Sequence, residues 1–157
     1  MRCKRLGIGA ALAAGTLAAG LALAPGAAAV VPTSATIIAD CGVYGGGEAT
    51  LTAKQTGTTA TITLTSSEIT APLALAADSI ASTLTMTKAG GGTTVFSGTK
   101  NPAMAVGDGV SVGPLTGTVA AGDSLDANGG SLKMVIFGFI TVTCTPDGPQ
   151  SPGPFVF

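Results

Sequence analysis

Few side chains in this sequence are equipped for chemistry. Its 157 residues include no His, no Trp, one Tyr, three Cys and eight Asp or Glu. Without an imidazole, a Ser or Thr nucleophile needs a Lys or a carboxylate as its base. Beyond the first few positions the only cations are Lys54, Lys88, Lys100 and Lys133. Alternation puts Lys54 and Lys133 on the solvent side of strands and Lys88 beside a turn, where lysine serves solubility and edge protection. Glu48 and Glu68 flank a hairpin and could approach as paired carboxylates, but glycoside hydrolysis needs two acids at a fixed separation in a cleft. These residues read as strand-end charges, and the chain as a non-enzymatic protein.

A metal site has one candidate. With its thiols paired and no imidazole, the chain lacks a ligand set for Zn²⁺ or Cu²⁺. Residues 122–129, Gly-Asp-Ser-Leu-Asp-Ala-Asn-Gly, gather Asp123, Asp126 and Asn128, oxygen ligands of the kind Ca²⁺ takes. An EF-hand would need a bidentate Glu where Phe137 stands. The competing reading is turn chemistry, with Asn128-Gly129 leading into the last strand. No other cofactor is implied.

Tyr44 stands beside three glycines, 45–47, just after Cys41. It is either a contact for a protein or glycan partner or a lid packed over the cysteine. The glycines are no phosphate loop, because no Lys-Ser/Thr follows them into a helix.

The chain opens with a basic start (Arg2, Lys4, Arg5), an apolar run and the small residues Ala27, Ala28 and Ala29. This is the pattern of a secretory leader spanning 1–29, and its run is too short and too Ala/Gly-rich for a membrane anchor. The expected product is secreted, extracellular or held at the cell envelope. Its four lysines face eight carboxylates, a net charge of −4. That sign excludes a phosphate-binding surface for nucleic acid.

Cys3 leaves with the leader, so Cys41 and Cys144 remain. An even pair in an exported chain reads as a disulfide. Closing a loop of ~100 residues is worth about 4.7 kcal/mol in the chain-entropy model.

The elements that hold these residues alternate with period 2, the mark of strands. Ala49, Leu51 and Ala53 alternate with polar residues, as do Ala60, Ile62 and Leu64. The short segment 55–58 between them makes a hairpin. Residues 80–88, 93–97 and 110–119 supply further strands, the last as one or two pieces around Gly113-Pro114. Residues 131–145 read as the strongest strand, with Leu132, Met134, Ile136, Ile140, Val142 and Cys144 on one face and Val135, Phe137 and Phe139 apolar on the other. Gly138 interrupts it as a bulge, or the strand is covered on both faces. Ile37, Ala39, Cys41 and Val43 share a parity too, so both cysteines point toward a core. Residues 71–80 carry Pro72 and are too short for a helix.

Short strands with Gly, Pro, Asn and Asp between them make an all-β domain of sandwich or barrel type. Residues 30–146 form it, and 147–157 are a Pro/Gly-rich tail that folds back or docks elsewhere.

Two ends of this domain carry a resemblance. Thr36-Ile37-Ile38-Ala39-Asp40-Cys41, and Val142-Thr143-Cys144-Thr145-Pro146 with Gln150 after it, are similar to exported actinobacterial domains of immunoglobulin-like type. Ala39 stands where that family has an aromatic. The resemblance implies an immunoglobulin-like antiparallel β-sandwich, closed by one disulfide, acting at the cell surface or outside it. The fold itself implies no activity. The expected role is a surface or envelope-associated structural or interaction module. The alternative is a small binding or inhibitor protein that presents a loop to a protein or glycan.

Overall fold

The computed structural model describes residues 29–157. The leader expected at 1–29 therefore lies outside the described residues, save Ala29. Nine strands follow: β1 Ser34–Asp40, β2 Gly46–Thr56, β3 Thr59–Thr70, β4 Ile80–Lys88, β5 Thr93–Gly98, β6 Gly109–Thr118, β7 Ser124–Ile136, β8 Ile140–Pro146 and β9 Phe155–Val156. The helical content among the described residues is one 3-10 turn, Gly42–Tyr44.

All pairings between these strands are antiparallel, and the first eight strands close into a ring ordered β4-β5-β6-β3-β2-β1-β8-β7 and back to β4. The protein is thus an eight-stranded β-barrel, where two separate sandwich sheets were expected. Closure removes exposed sheet edges, which otherwise invite pairing with other chains. Two seams are narrow. β5 and β6 share the single pair Ser97↔Thr116, and β1 and β8 share Ala39↔Pro146 and Asp40↔Thr145.

The tail widens the second seam. Asp147 donates to the Ile38 carbonyl, Thr36 and Ser151 exchange two backbone bonds, and Val31 and Val156 exchange two more. On its other side β9 pairs with β7 through Leu125↔Phe155 and Ser124↔Val156. Residues 147–157 are therefore wall rather than appendage. The buried Gln150 side chain fixes this path, accepting from Ala127 N–H at 2.9 Å and donating to the Gly153 carbonyl at 3.0 Å.

Alternation fills the barrel from within. Leu51, Ile62, Met86, Phe96, Val112, Leu115, Leu125 and Phe155 are essentially inaccessible to solvent. Phe157 plugs one end, its ring centroid 6.4 Å from that of Phe96. Gly117 lets Phe96 lie flat inside, because a Cβ there would meet the ring at 2.5 Å.

The β2–β3 hairpin turns on Gly57-Thr58, and Gly57 has φ +60°, the positive value its two-residue turn asks of the first position. The last two strands differ from expectation. Residues 131–145 are not one strand but a hairpin, with Ile136 opposite Ile140 and Phe137, Gly138 and Phe139 as its loop. An odd loop preserves parity, so the core-facing set runs on through the turn unchanged. The expected turn at Asn128-Gly129 differs as well. It lies inside β7, in a bulge where the register shifts from Thr85↔Ser131 to Thr87↔Asp126.

Candidate functional site

The connections at 41–45, 71–79, 99–108 and 137–139 all emerge at one end of the barrel. The disulfide Cys41–Cys144 sits here, in register one step beyond Asp40↔Thr145, with both residues buried. It locks the start of the 3-10 turn that carries Tyr44, and the Cys41 N–H donates to the Gly45 carbonyl to close that loop.

The other loops of this end are tied as firmly. Asn101 is buried and uses its whole amide. Its Oδ1 accepts from Ser79 N–H and Ile80 N–H, and its Nδ2 donates to the Ala76 and Pro102 carbonyls, all at 2.8–2.9 Å. Leu75 and Met104 exchange two backbone bonds, and Ala71 is bonded to the 107–108 turn on both sides. A loop with this many internal partners is pre-organised.

Five of the nine large apolar side chains exposed among the described residues lie here: Val43 is 96% exposed, Phe139 77%, Val106 68%, Phe137 51% and Tyr44 39%. The other four, Val31, Ile38, Val95 and Val156, lie on the wall and tail. The Phe137 and Phe139 rings lie 6.3 Å apart on the hairpin tip. The same end holds an apolar cleft of about 30 Å³, lined among others by Cys41, Tyr44, Pro72, Leu75, Ile136 and Val142. Tyr44 lines this cleft together with Cys41 and remains partly exposed.

Five carboxylates ring the same end: Asp40, Glu48, Glu68, Asp78 and Asp108. Each accepts a hydrogen bond or ion pair, except Glu48. Asp40 accepts from Gly42 N–H at 2.8 Å, and Asp108 from Ala105 N–H at 2.7 Å. Glu68 accepts from the backbone N–H of Glu48 at 2.6 Å, so these two acids meet through backbone rather than as a carboxylate pair. Lys100 reaches Asp78 at 3.2 Å.

Asp123, Asp126 and Asn128 lie on the β7 side, at or near the opposite end, and are engaged in local structure. Asp123 pairs with Lys88 at 3.1 Å and accepts from Ala120 N–H at 2.9 Å. The Ala120 N–H above all holds its carboxyl below the usual value; burial opposes this, and the hydrogen bond and charge of Lys88 add smaller lowering contributions. Asp126 accepts from Asn128 N–H at 2.8 Å. Asn128 gives its carbonyl to the Thr87 hydroxyl, and its side chain is exposed. Among the described residues no three His, Cys, Asp or Glu side chains gather to hold a metal ion. Nor is any helix among them long and apolar enough to cross a membrane.

Phe137 and Phe139 are the site residues that sequence reasoning placed elsewhere, on the second face of a continuous strand. Gly138 between two isoleucines was the available signal. Comparison of the chain with protein-family models, curated proteins and solved structures finds no match.

Proposed function

We propose that the chain is an exported, non-enzymatic interaction module of the cell surface or envelope, and that it binds through the disulfide end of its barrel. The observation that carries this reading is the gathering of Val43, Tyr44, Val106, Phe137 and Phe139 at one end of a tied-down scaffold. Exposed apolar clusters on a folded domain mark interaction surfaces. Rigid loops favour the same reading, since binding then orders little that was free. They equally suit the narrower role of a binder that presents one loop, here the Phe137–Phe139 tip.

The non-enzymatic part of the proposal rests on the cations. Lys88 and Lys100 are held by Asp123 and Asp78, and Lys54 and Lys133 are exposed on the wall. An immunoglobulin-like classification draws support from the two narrow seams. They divide the ring into four-stranded halves, β1, β2, β3, β6 and β4, β5, β7, β8, as in a flattened barrel.

The test is the distribution of the full chain, expressed with its leader in an exporting host and followed by antibody. The parent is expected in the envelope fraction, and Tyr44→Ser with Phe137→Asn and Phe139→Ser is expected to release it to the medium. A parent protein found free in the medium, with the triple variant indistinguishable from it, contradicts the proposal.

A further inference from the structure

We infer that the disulfide end takes a polypeptide presenting basic and apolar side chains together, with Phe137 and Phe139 as its anchors. This rests on the reading of that end as a binding face and adds the chemistry of the partner.

The backbone of the tip supplies the first argument. Phe137 has φ +52° and Gly138 φ +77°. A left-handed backbone suits Gly or Asn, and a bulky residue there costs free energy. Burial does not compensate, because half of the Phe137 side chain is in water. Phe139 is more exposed still, so the tip holds two aromatic rings outward at a cost to the fold. Strain of this kind concentrates at ligand-contacting positions, and aromatic side chains are the commonest binding anchors.

Charge supplies the second. Around this apolar centre stand Asp40, Glu48, Glu68, Asp78 and Asp108, against Lys100 alone, which Asp78 already engages. Lys133, the next nearest cation, lies on the barrel wall opposite Thr83 and Thr143, three residues short of the β7 end. This end therefore carries exposed apolar side chains together with Asp40, Glu48, Glu68 and Asp108, none of which pairs with a lysine among the described residues. An anionic membrane is repelled by these charges, and a second copy would set two such faces against each other. A cationic, partly apolar polypeptide matches both features, and its encounter is steered by the carboxylates.

Amide NMR mapping on the oxidised protein tests the inference with defined probes. These are a peptide alternating Lys with Leu, its Glu–Leu counterpart, and phosphatidylcholine vesicles with and without phosphatidylglycerol. The Lys–Leu peptide is expected to shift amides at 42–45, 71–79, 105–108 and 136–140, to weaken with added salt, and to bind the Phe137→Asn/Phe139→Ser variant about tenfold or more weakly. Val95→Ser on the side wall is the control and is expected to bind as the parent does.

Equal binding of the Glu–Leu peptide overturns the partner class while leaving the binding face intact. Preference for phosphatidylglycerol vesicles, or concentration-dependent dimerisation through these amides, overturns it likewise in favour of a membrane or a second copy. Shifts spread over the barrel wall, with both variants unaffected, overturn the inference. If the triple variant of the previous section also stays in the envelope fraction, the binding face itself falls.

Discussion

Cys41 and Cys144 face each other directly across the β1–β8 ladder, their Cα atoms 4.0 Å apart and one register step beyond Asp40 and Thr145. The disulfide is a cross-strand bond in one continuous wall, placed where that wall has only two ladder pairs. It thus reinforces a weak seam and fixes the loop that bears Tyr44. Both effects come from one bond.

Replacing both cysteines with Ala is expected to cost 2–5 kcal/mol, the usual range for a small disulfide-bonded domain. Denaturant unfolding of the double variant against the oxidised parent measures it. Amide exchange should rise first at 39–45 and along β8, since the tail still ties residues 31–38. A loss within about 0.5 kcal/mol, below any effect expected of a closed loop of this size, would mean that the ladder and tail hold the seam alone.

Asn101→Ala is expected to be among the most damaging single changes outside the barrel interior. It leaves the Ser79 and Ile80 amides and the Ala76 and Pro102 carbonyls without their partner. A buried group left unpaired costs about 1–3 kcal/mol, and here several share one side chain. Thermal unfolding checks the size of the loss, and amide exchange should show it centred on 76–80.

Phe137→Gly is expected to stabilise the fold by up to about 1 kcal/mol, because Gly adopts positive φ without the steric penalty. The same change should weaken binding at the disulfide end. Opposite signs in stability and binding distinguish a strained contact residue from a packing residue.

How much of this was legible in the sequence depended on whether a feature left a local trace. The 80–88 strand, the hairpin around Gly57 and the cysteine pair all did, through alternation, turn chemistry and parity. The 137–139 loop left only Gly138, which reads equally as a bulge, because three residues return the chain with its parity intact. The β7 bulge misled for another reason. Asp126, Asn128 and Gly129 are turn-forming residues, used here to let extra residues out of a long strand opposite Thr85 and Thr87. Barrel closure had no local signal at all, since it is decided by pairs such as Ser97↔Thr116 and Val31↔Val156 that are distant in the chain. Tyr44 could be singled out from its neighbours, whereas Phe137 and Phe139 needed the hairpin to become visible as surface.

Stability should be nearly flat from about pH 6 to pH 8, since His, the side chain that ordinarily titrates there, is absent. Acid is different. The Asp123 carboxyl is held low in the fold by Ala120 N–H and Lys88. A depressed folded value adds stability above the unfolded value and loses it as pH falls through the folded one. Asp123→Ala is therefore expected to cost on the order of 1 kcal/mol near neutrality, discounted for partial exposure of the pair. The gap to the parent should close below about pH 4, the ordinary Asp range. Melting curves at matched pH measure that gap, and a constant difference down to pH 2 would contradict the assignment.

Contact between the aromatic tip and a partner is read most directly by site-specific photocrosslinking. A photoreactive phenylalanine analogue is placed at Phe139 in one preparation and at Val95, on the side wall, in another. Each is exported by living cells and irradiated in place. One discrete crosslinked polypeptide, basic in composition, is expected from position 139, and none from position 95. Equal crosslinking at both positions, or none at 139 from a folded and exported protein, would contradict that contact.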